Sequence, residues 1–470
     1  MKKIYLVIII ISIFSKLYSQ SLIDIISDMD KNYFEKLEII NNNKALTTDS
    51  NNLWQIKRYD RWKSFWDSRI DQNGEYTTYL NTMSNIEIPK STTENIWQSI
   101  GHKNDILPID FKFIGRVQSI WVRPDNFNII FIGASNGGLW KTADGGVNWQ
   151  SVTPQYSFGV TKIISHPSNY DTMFIVTGNY GQGLLSHGYY GQGIFNSTDG
   201  GESWNPVVGF TPSNMIYMSD IIYDPVNYDT MYAVCTKRIF KSIDGGVNWT
   251  VLSARPTAET STFSEIRINP VATNYIVVSG SNEFQTSSDG GTTWTSIDFF
   301  STETNDSYIK VDYSPTGKLF ALYYYNTTGY YFKNYVKYST NNGLTWAETN
   351  FFGEENSNGH ATMSACFIKA QSDDIIWFGG VTIQKTTNSF LSHDPFSSSK
   401  VHDDIRDICF PYPTNLNLVY VVTDGGVNKN IYNDKNTWEN INGNPPTSPS
   451  KLFQVFDLEA KYIKPPGLTR

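Results

Sequence analysis

One nine-residue element recurs along this chain and limits what it can fold into. It reads Lys141-Thr-Ala-Asp-Gly-Gly-Val-Asn-Trp149, Asn196-Ser-Thr-Asp-Gly-Gly-Glu-Ser-Trp204, Lys241-Ser-Ile-Asp-Gly-Gly-Val-Asn-Trp249 and Thr286-Ser-Ser-Asp-Gly-Gly-Thr-Thr-Trp294. A weaker copy, Tyr338-Ser-Thr-Asn-Asn-Gly-Leu-Thr-Trp346, carries Asn341 at the acidic position. Asp144, Asp199, Asp244, Asp289 and Asn341 lie 55, 45, 45 and 52 residues apart. That stride predicts eroded copies near 388 and 433, where Lys385-Thr-Thr-Asn388 and the pair Asn433 and Trp438 stand. Self-similarity at such a period marks a repeat architecture rather than a single compact core.

The motif's residues explain its shape. An Asp or Asn side chain accepts hydrogen bonds from backbone N–H groups a little further on and closes a tight turn. The glycines allow the positive φ that such a turn needs, and the Trp opens the next strand and covers the turn. Each unit also holds an earlier apolar run ending near a proline, as in Val117–Val122 before Pro124 and Ile266–Ile268 before Pro270. A second run follows (Ile129–Gly133, Met231–Val234), and a third leads into the turn (Leu139–Lys141, Ile239–Lys241). Four short strands per unit of about 45 residues is the plan of a propeller blade. The expected fold is all-β, a propeller of about seven four-stranded blades with a short helical segment at its N-terminal side.

The motif resembles the Asp-box, or BNR repeat, of sialidases, xyloglucanases and the sortilin ectodomain. It is most similar to secreted bacterial sortilin-like BNR propellers. These share Gly115-Arg116-Val117, Pro124, Gly133-Ala-Ser-Asn-Gly-Gly-Leu-Trp-Lys141, His402-Asp-Asp-Ile-Arg406 and Thr423-Asp-Gly-Gly426. The resemblance covers about 97–440. It implies that Asp144, Trp149, Asp199, Trp204, Asp244, Trp249, Asp289, Trp294, Asn341 and Trp346 are structural, holding turns on the lower, outer side of each blade. It also implies that ligands bind on the opposite, top face.

Outside the repeats the pattern changes. Lys2-Lys3, an apolar run of 11 residues from Ile4 to Phe14 and a small residue near Ser19 describe a secretory signal peptide over 1–19. That run is too short to span a membrane, which takes about 20 residues. Residues 20–95 read as helical, with Ile23–Ile40 and Trp54–Ile70 as helices. Trp54, Tyr59, Trp62, Phe65 and Trp66 lie mostly at helical spacing, as a cap packing on the propeller or as a partner-binding helix. The propeller is expected over 96–444. Residues 445–470 read as a linker and the start of a further strand or blade.

Composition narrows the partners. The 470 residues carry 37 basic and 45 acidic groups, a net charge of -8, and removing Lys2, Lys3 and Lys16 leaves 34 basic groups. Such a surface repels phosphate backbones, so nucleic acid is not an expected partner. Only Cys235, Cys366 and Cys409 are present, an odd number. They read as buried free thiols, with one disulfide as the alternative. No cofactor is called for.

Two places could carry function. The Gly- and Tyr-rich loops 178–193, with Tyr180, His187, Tyr189 and Tyr190, and 323–331, with Tyr325 and Tyr330, suit stacking on sugar rings or a protein-binding patch. The alternative is that these tyrosines fill strand faces. The second place follows from register. Arg116 and Asp404 begin the first and last blades at nearly the same offset, with His402, Asp403 and Arg406 beside them. An Arg–Asp pair there could grip a polar ligand or close the first blade onto the last. A metal set from His393, Asp394, His402 and Asp403 matches no standard spacing, and Arg406 stands where relatives often carry a second His.

Enzyme readings fit poorly. There are few arginines for a sialidase triad, and Ser135-Asn136-Gly137-Gly138 replaces the acidic turn of a xyloglucanase. The leading expectation is a secreted or cell-surface propeller that binds extracellular glycan or protein without catalysis. A BNR-type glycoside hydrolase using unassigned carboxylates, and a structural component of a surface or secretion assembly, stand as alternatives.

Overall fold

In a computed structural model the chain forms two compact units, one of residues 1–86 with 212–214 and one of the remainder. The described residues are 22–27, 31–48, 53–67, 70–75, 116–135, 137–153, 158–178, 191–210, 217–258, 261–299, 307–326, 332–352, 366–396, 401–411, 418–431 and 434–442. Among them no helix is long and apolar enough to cross a membrane. The expected signal peptide and the 445–470 segment lie outside them.

The first unit is helical: α1 (Leu22–Ser27), α2 (Tyr33–Asn42), α3 (Ala45–Thr48) and α4 (Leu53–Trp66). The helix expected over Ile23–Ile40 is in fact two. Asn32 stops continuation by capping α2, its side chain accepting from the Glu35 N–H while Glu35 reaches back to the Asn32 N–H. Tyr59 is buried with Leu22, Ile25, Ile26 and Ile40, and Trp62 stacks on Tyr33 at 4.9 Å. These aromatics therefore form the helical unit's own core. The side chains of Trp54 and Phe65 lie outside the described set.

The second unit is built from strands. The first sheet holds β1 (Val117–Val122), β2 (Ile130–Ala134), β3 (Leu139–Thr142) and β4 (Gln150–Ser151); the next holds β5 (Val160–His166), β6 (Asn169–Thr177), β7 (Ile194–Ser197) and β8 (Asn205–Pro206). Then come β9 (Met218–Tyr223), β10 (Met231–Cys235), β11 (Arg238–Ser242) and β12 (Thr250–Val251). β13 (Thr262–Ile268), β14 (Ile276–Ser281), β15 (Glu283–Ser287) and β16 (Thr295–Ser296) follow. They precede β17 (Ser307–Tyr313), β18 (Leu319–Asn326), β19 (Phe332–Ser339) and β20 (Ala347–Phe352). The last two sheets are β21 (Phe367–Ala370), β22 (Ile376–Gly379), β23 (Ile383–Thr386), β24 (Asp394–Pro395), and β25 (Ile405–Cys409), β26 (Val419–Thr423), β27 (Gly426–Asn430), β28 (Trp438–Asn440).

All neighbouring strands are antiparallel. Five sheets of four strands stand separately, not seven as the repeat count predicts. The remaining eight strands, β13 to β20, form one sheet, because Ser281 at the end of β14 pairs with Tyr308 at the start of β17.

The first strands of successive groups pack on one another in a closed cycle: β1 on β5, then β9, β13, β17, β21, β25, and β25 back on β1. Apolar slices fill the space between neighbouring sheets. Trp121 and Phe131 of the first sheet meet Ile163, Phe195 and Trp204 of the second. The closing slice sets Val117, Ile130 and Trp140 against Leu418, Tyr420, Val422 and Ile441. Burying each such large side chain contributes about 1.5–3 kcal/mol.

The repeated turns join the third and fourth strands. In each, a carboxylate or amide oxygen accepts from the backbone N–H four residues on, as Asn148 N–H to Asp144 Oδ1 (2.8 Å) and Asn248 N–H to Asp244 Oδ1 (2.8 Å). A hydroxyl two residues before completes the turn: Ser242 Oγ donates to Asp244 Oδ1 and accepts from the buried Gly246 N–H. The eroded copy at Asn388 keeps these hydrogen bonds with Ser389 and Phe390 in place of the glycines, Thr386 serving as the hydroxyl and Ser392 N–H donating to Asn388 Oδ1 at 2.9 Å. Asn433 lies outside the described residues, while Trp438 is buried in β28.

In the intact copies the second glycine serves twice over. Gly246 has φ +88°, and a Cβ there would come 2.7 Å from Phe174 of the preceding sheet. Trp204, Trp249 and Trp294 then donate their indole N–H to the carbonyl of that glycine in their own turn. Trp149 instead donates to Ile441 O of the last sheet, across the closure.

Candidate functional site

Antiparallel topology puts the repeated turns at one end of the sheets. The starts of the innermost strands and the second-to-third strand turns lie at the other. Arg116, Asp404 and Asp424 are all at that second end, where the last sheet meets the first. Asp424 belongs to the turn between β26 and β27, whose Gly425 N–H donates to Thr423 Oγ1 and whose Gly426 adopts φ +115°.

Two arginines converge on Asp424. Arg116 donates from Nε and Nη2 to its two oxygens (3.0 and 2.9 Å), and Arg406 does the same (2.6 and 2.8 Å). Burial alone would push this carboxyl up, but Arg406 and Arg116 outweigh it and hold Asp424 below its ordinary value. Bidentate Arg–carboxylate pairs are strong and directional. The expected Arg116–Asp404 pair is therefore replaced: Arg116 takes Asp424, and β25 and β1 are joined through one shared carboxylate.

Asp404 sits next to this clamp without joining it. Its backbone is left-handed (φ +66°), fixed by its N–H to Val381 O (3.1 Å) and the Ile405 N–H to Gly380 O (2.8 Å). Its Oδ1 is buried with no hydrogen-bond partner among the described residues. Burial raises the Asp404 carboxyl above its ordinary value, with Arg406 opposing and Asp424 adding. His402 beside it directs Nδ1 at Asp403 O, 2.7 Å away. His393 lies elsewhere, against Phe351, and no group of three or more metal-ligating side chains occurs among the described residues.

Tyr180, His187, Tyr189, Tyr190 and Tyr330 fall outside the described residues. Tyr325 has its backbone in β18, paired with Ser307 and Lys333. Its neighbours Tyr323 and Tyr324 are buried, so that part of the tyrosine run fills strand faces. The three cysteines are free thiols, Cys235 and Cys366 buried, and burial pushes Cys366 up to about 12.

A polar cavity of about 80 Å³ lies where the innermost strands meet, with lining from β1 and β5 round to β25. β-Bulges in β1, β5, β9, β13 and β25 break the register there and turn extra polar residues toward it. These side chains tie one inner strand to the next. Ser119 Oγ donates to Val160 O (3.0 Å) and Thr161 Oγ1 to Met218 O (3.0 Å). Asp220 accepts from Ile266 N–H (3.2 Å), Glu265 from Val311 N–H (3.1 Å) and Asp312 from Ala370 N–H (3.0 Å).

Arg267 is the hub, in ion pairs with Asp220 (2.5 Å), Glu265 (3.1 Å) and Asp312 (3.3 Å), while Lys310 holds Glu265 at 2.9 Å. Burial opposes the charge on Glu265, yet Lys310 and Arg267 outweigh it and bring its carboxyl down to about 2. Sequence reasoning missed this belt and Asp424. Its signal is a polar residue five before the proline that ends six of the seven inner strands: Ser119, Lys162, Asp220, Glu265, Lys310 and Arg406.

No family model and no curated protein matches the chain. Solved structures do. An ancestral GH74 enzyme aligns at TM-score 0.52 and 16% identity, over 71% of this chain and 47% of that one. The GH74 xyloglucanase from Xanthomonas campestris aligns at TM-score 0.52 and 11% identity, over 69% of this chain and 53% of that one. YCF48 from Cyanidioschyzon merolae gives TM-score 0.46 and 13% identity, over 69% and 97%. The chain thus spans about half the length of the GH74 chains it matches. At these identities the likeness is one of fold: the second unit of this chain is a β-propeller.

Proposed function

We propose that the chain is an exported, non-catalytic binding propeller of the BNR type that takes an extracellular glycan or a surface protein on its top face, over the seam between first and last sheets. The eight-stranded sheet acts as two blades joined by the Ser281–Tyr308 bridge, which makes the ring sevenfold. Asp404 carries the reading. A buried carboxyl oxygen without a partner is costly, and a left-handed aspartate adds strain; both are kept where a ligand completes the site. A carboxyl in this setting suits a sugar hydroxyl or a peptide amide.

Retention on arrays of glycans and of isolated surface proteins tests this. Asp404→Asn is expected to fold normally and to lose about tenfold or more in affinity. Undiminished retention would remove Asp404 from the site.

A second reading has one observation in its favour. Asp404 is shifted up and Asp424 down in the same corner, as in an acid and its counterpart in a glycoside hydrolase. Both oxygens of Asp424 are already held by arginines, which leaves it no freedom as base or nucleophile. Release of reducing sugar from xyloglucan or mucin, abolished in Asp404→Ala, would establish hydrolysis instead.

A further inference from the structure

The charges around the central cavity are not evenly satisfied. On one arc the carboxylates of Asp220, Glu265 and Asp312 are paired with Arg267 and Lys310. Lys162 on β5 and Lys369 on β21 also line the cavity, and their ammonium groups meet no hydrogen-bond acceptor and no carboxylate at ion-pair distance among the described residues. Each offers three donors that want acceptors. Asp407 is the remaining lining carboxylate, and it already takes the Ile408 N–H at 2.9 Å.

The lining carries five cationic side chains against three carboxylates. Arg116 and the carboxylates Asp312, Asp404 and Asp424 behind the lining balance that excess, so the positive charge is concentrated on the cavity wall itself. Burial, together with Arg267 and Lys162, holds the Lys369 ammonium below its ordinary value against the pull of Asp312 and Asp407. Among the described residues neither carboxylate pairs directly with Lys369, whereas on Lys162 the pull of Asp407 and Asp220 outweighs burial and raises the ammonium. At about 80 Å³ the cavity has room for a handful of waters or one small tetrahedral ion.

We infer that the central cavity is a binding site for one small oxyanion of the sulfate or phosphate class, held by Lys162 and Lys369. The ion supplies the acceptors that the two ammonium groups lack, and Arg267 adds to the field without leaving its carboxylates. The same chemistry arrives either as a free inorganic anion or as the terminal ester of a larger ligand.

Calorimetry on the full chain with inorganic sulfate, inorganic phosphate and a sulfated monosaccharide tests this and separates the two sources. Saturable one-to-one binding of an inorganic anion marks a free ion, and binding of the ester alone marks a ligand terminus. Lys162→Met with Lys369→Met is expected to weaken either by about tenfold or more, and Lys369→Arg to retain it.

If the double variant does not fold, Lys369→Met alone gives the reading. Freed of a cation that burial disfavours, it is expected to melt no lower than the parent in chloride and to lose the extra stabilisation by sulfate at equal ionic strength. Asp404→Asn should bind the anion normally, so failure here and failure at the top face remain distinct. No saturable binding at concentrations up to about 10 mM, or equal binding by parent and double variant, would overturn the site.

Discussion

At the residue scale, the repeated turn is a hydrogen-bond device whose parts differ in how visible they are. Asp, Gly-Gly and Trp stand out in the sequence. The hydroxyl two residues before the Asp does not, since serine and threonine are common, yet Ser242 accepts the buried Gly246 N–H at 2.9 Å. Ser242→Ala leaves that donor unsatisfied and is expected to cost about 1–3 kcal/mol in denaturant unfolding.

The aspartates carry a pH signature. Asp244 and Asp289 are held down to about 2, led by the Asn248 backbone N–H and the Thr293 hydroxyl respectively. Asp199 reaches about 2 because Ser203 outweighs burial. Groups depressed in the folded state stabilise it above their unfolded value, about 3.9, and that contribution fades as pH falls through about 2. Stability is therefore expected to drop between about pH 4 and pH 2, and an Asp199→Asn, Asp244→Asn, Asp289→Asn triple variant to flatten that slope. Asn341 and Asn388 already serve the turn as amides, so the triple variant is expected to fold at neutral pH.

At the element scale, periodicity foretells the hairpins and the direction of each strand, because turn chemistry is local. It does not foretell which sheets remain separate: the Ser281–Tyr308 pair that merges β14 with β17 depends on where two strand ends meet. Nor does it foretell Asp424. Offset counting aligns Arg116 with Asp404, but a turn from the second strand reaches the arginines first, and only the packed seam decides that contest.

The inner belt was legible only in part, since a charge inside an apolar strand announces burial without naming its partner. Arg267 is the member whose removal is felt most. Arg267→Met strands Asp220 and Asp312 and is expected to destabilise by about 3–5 kcal/mol in urea unfolding, with no change in the far-ultraviolet spectrum of the folded state. A loss below about 1 kcal/mol would mean that water already screens the belt.

At the whole-molecule scale, the repeat is a device for making one short motif cover a long chain. Each four-stranded group buries its faces only against its neighbours, so the first and last faces must find each other. Trp149 to Ile441 O, the Val117–Tyr420 slice and the Arg116–Asp424–Arg406 clamp are where they do. The proposed top-face site and the central cavity both depend on that seam being shut. A double-mutant cycle across it with Arg116→Ala and Asp424→Ala, followed by chemical unfolding, measures the seam directly. A closed ring predicts a coupling of about 1–3 kcal/mol between the two residues. A coupling indistinguishable from zero would mean that the first and last sheets do not meet.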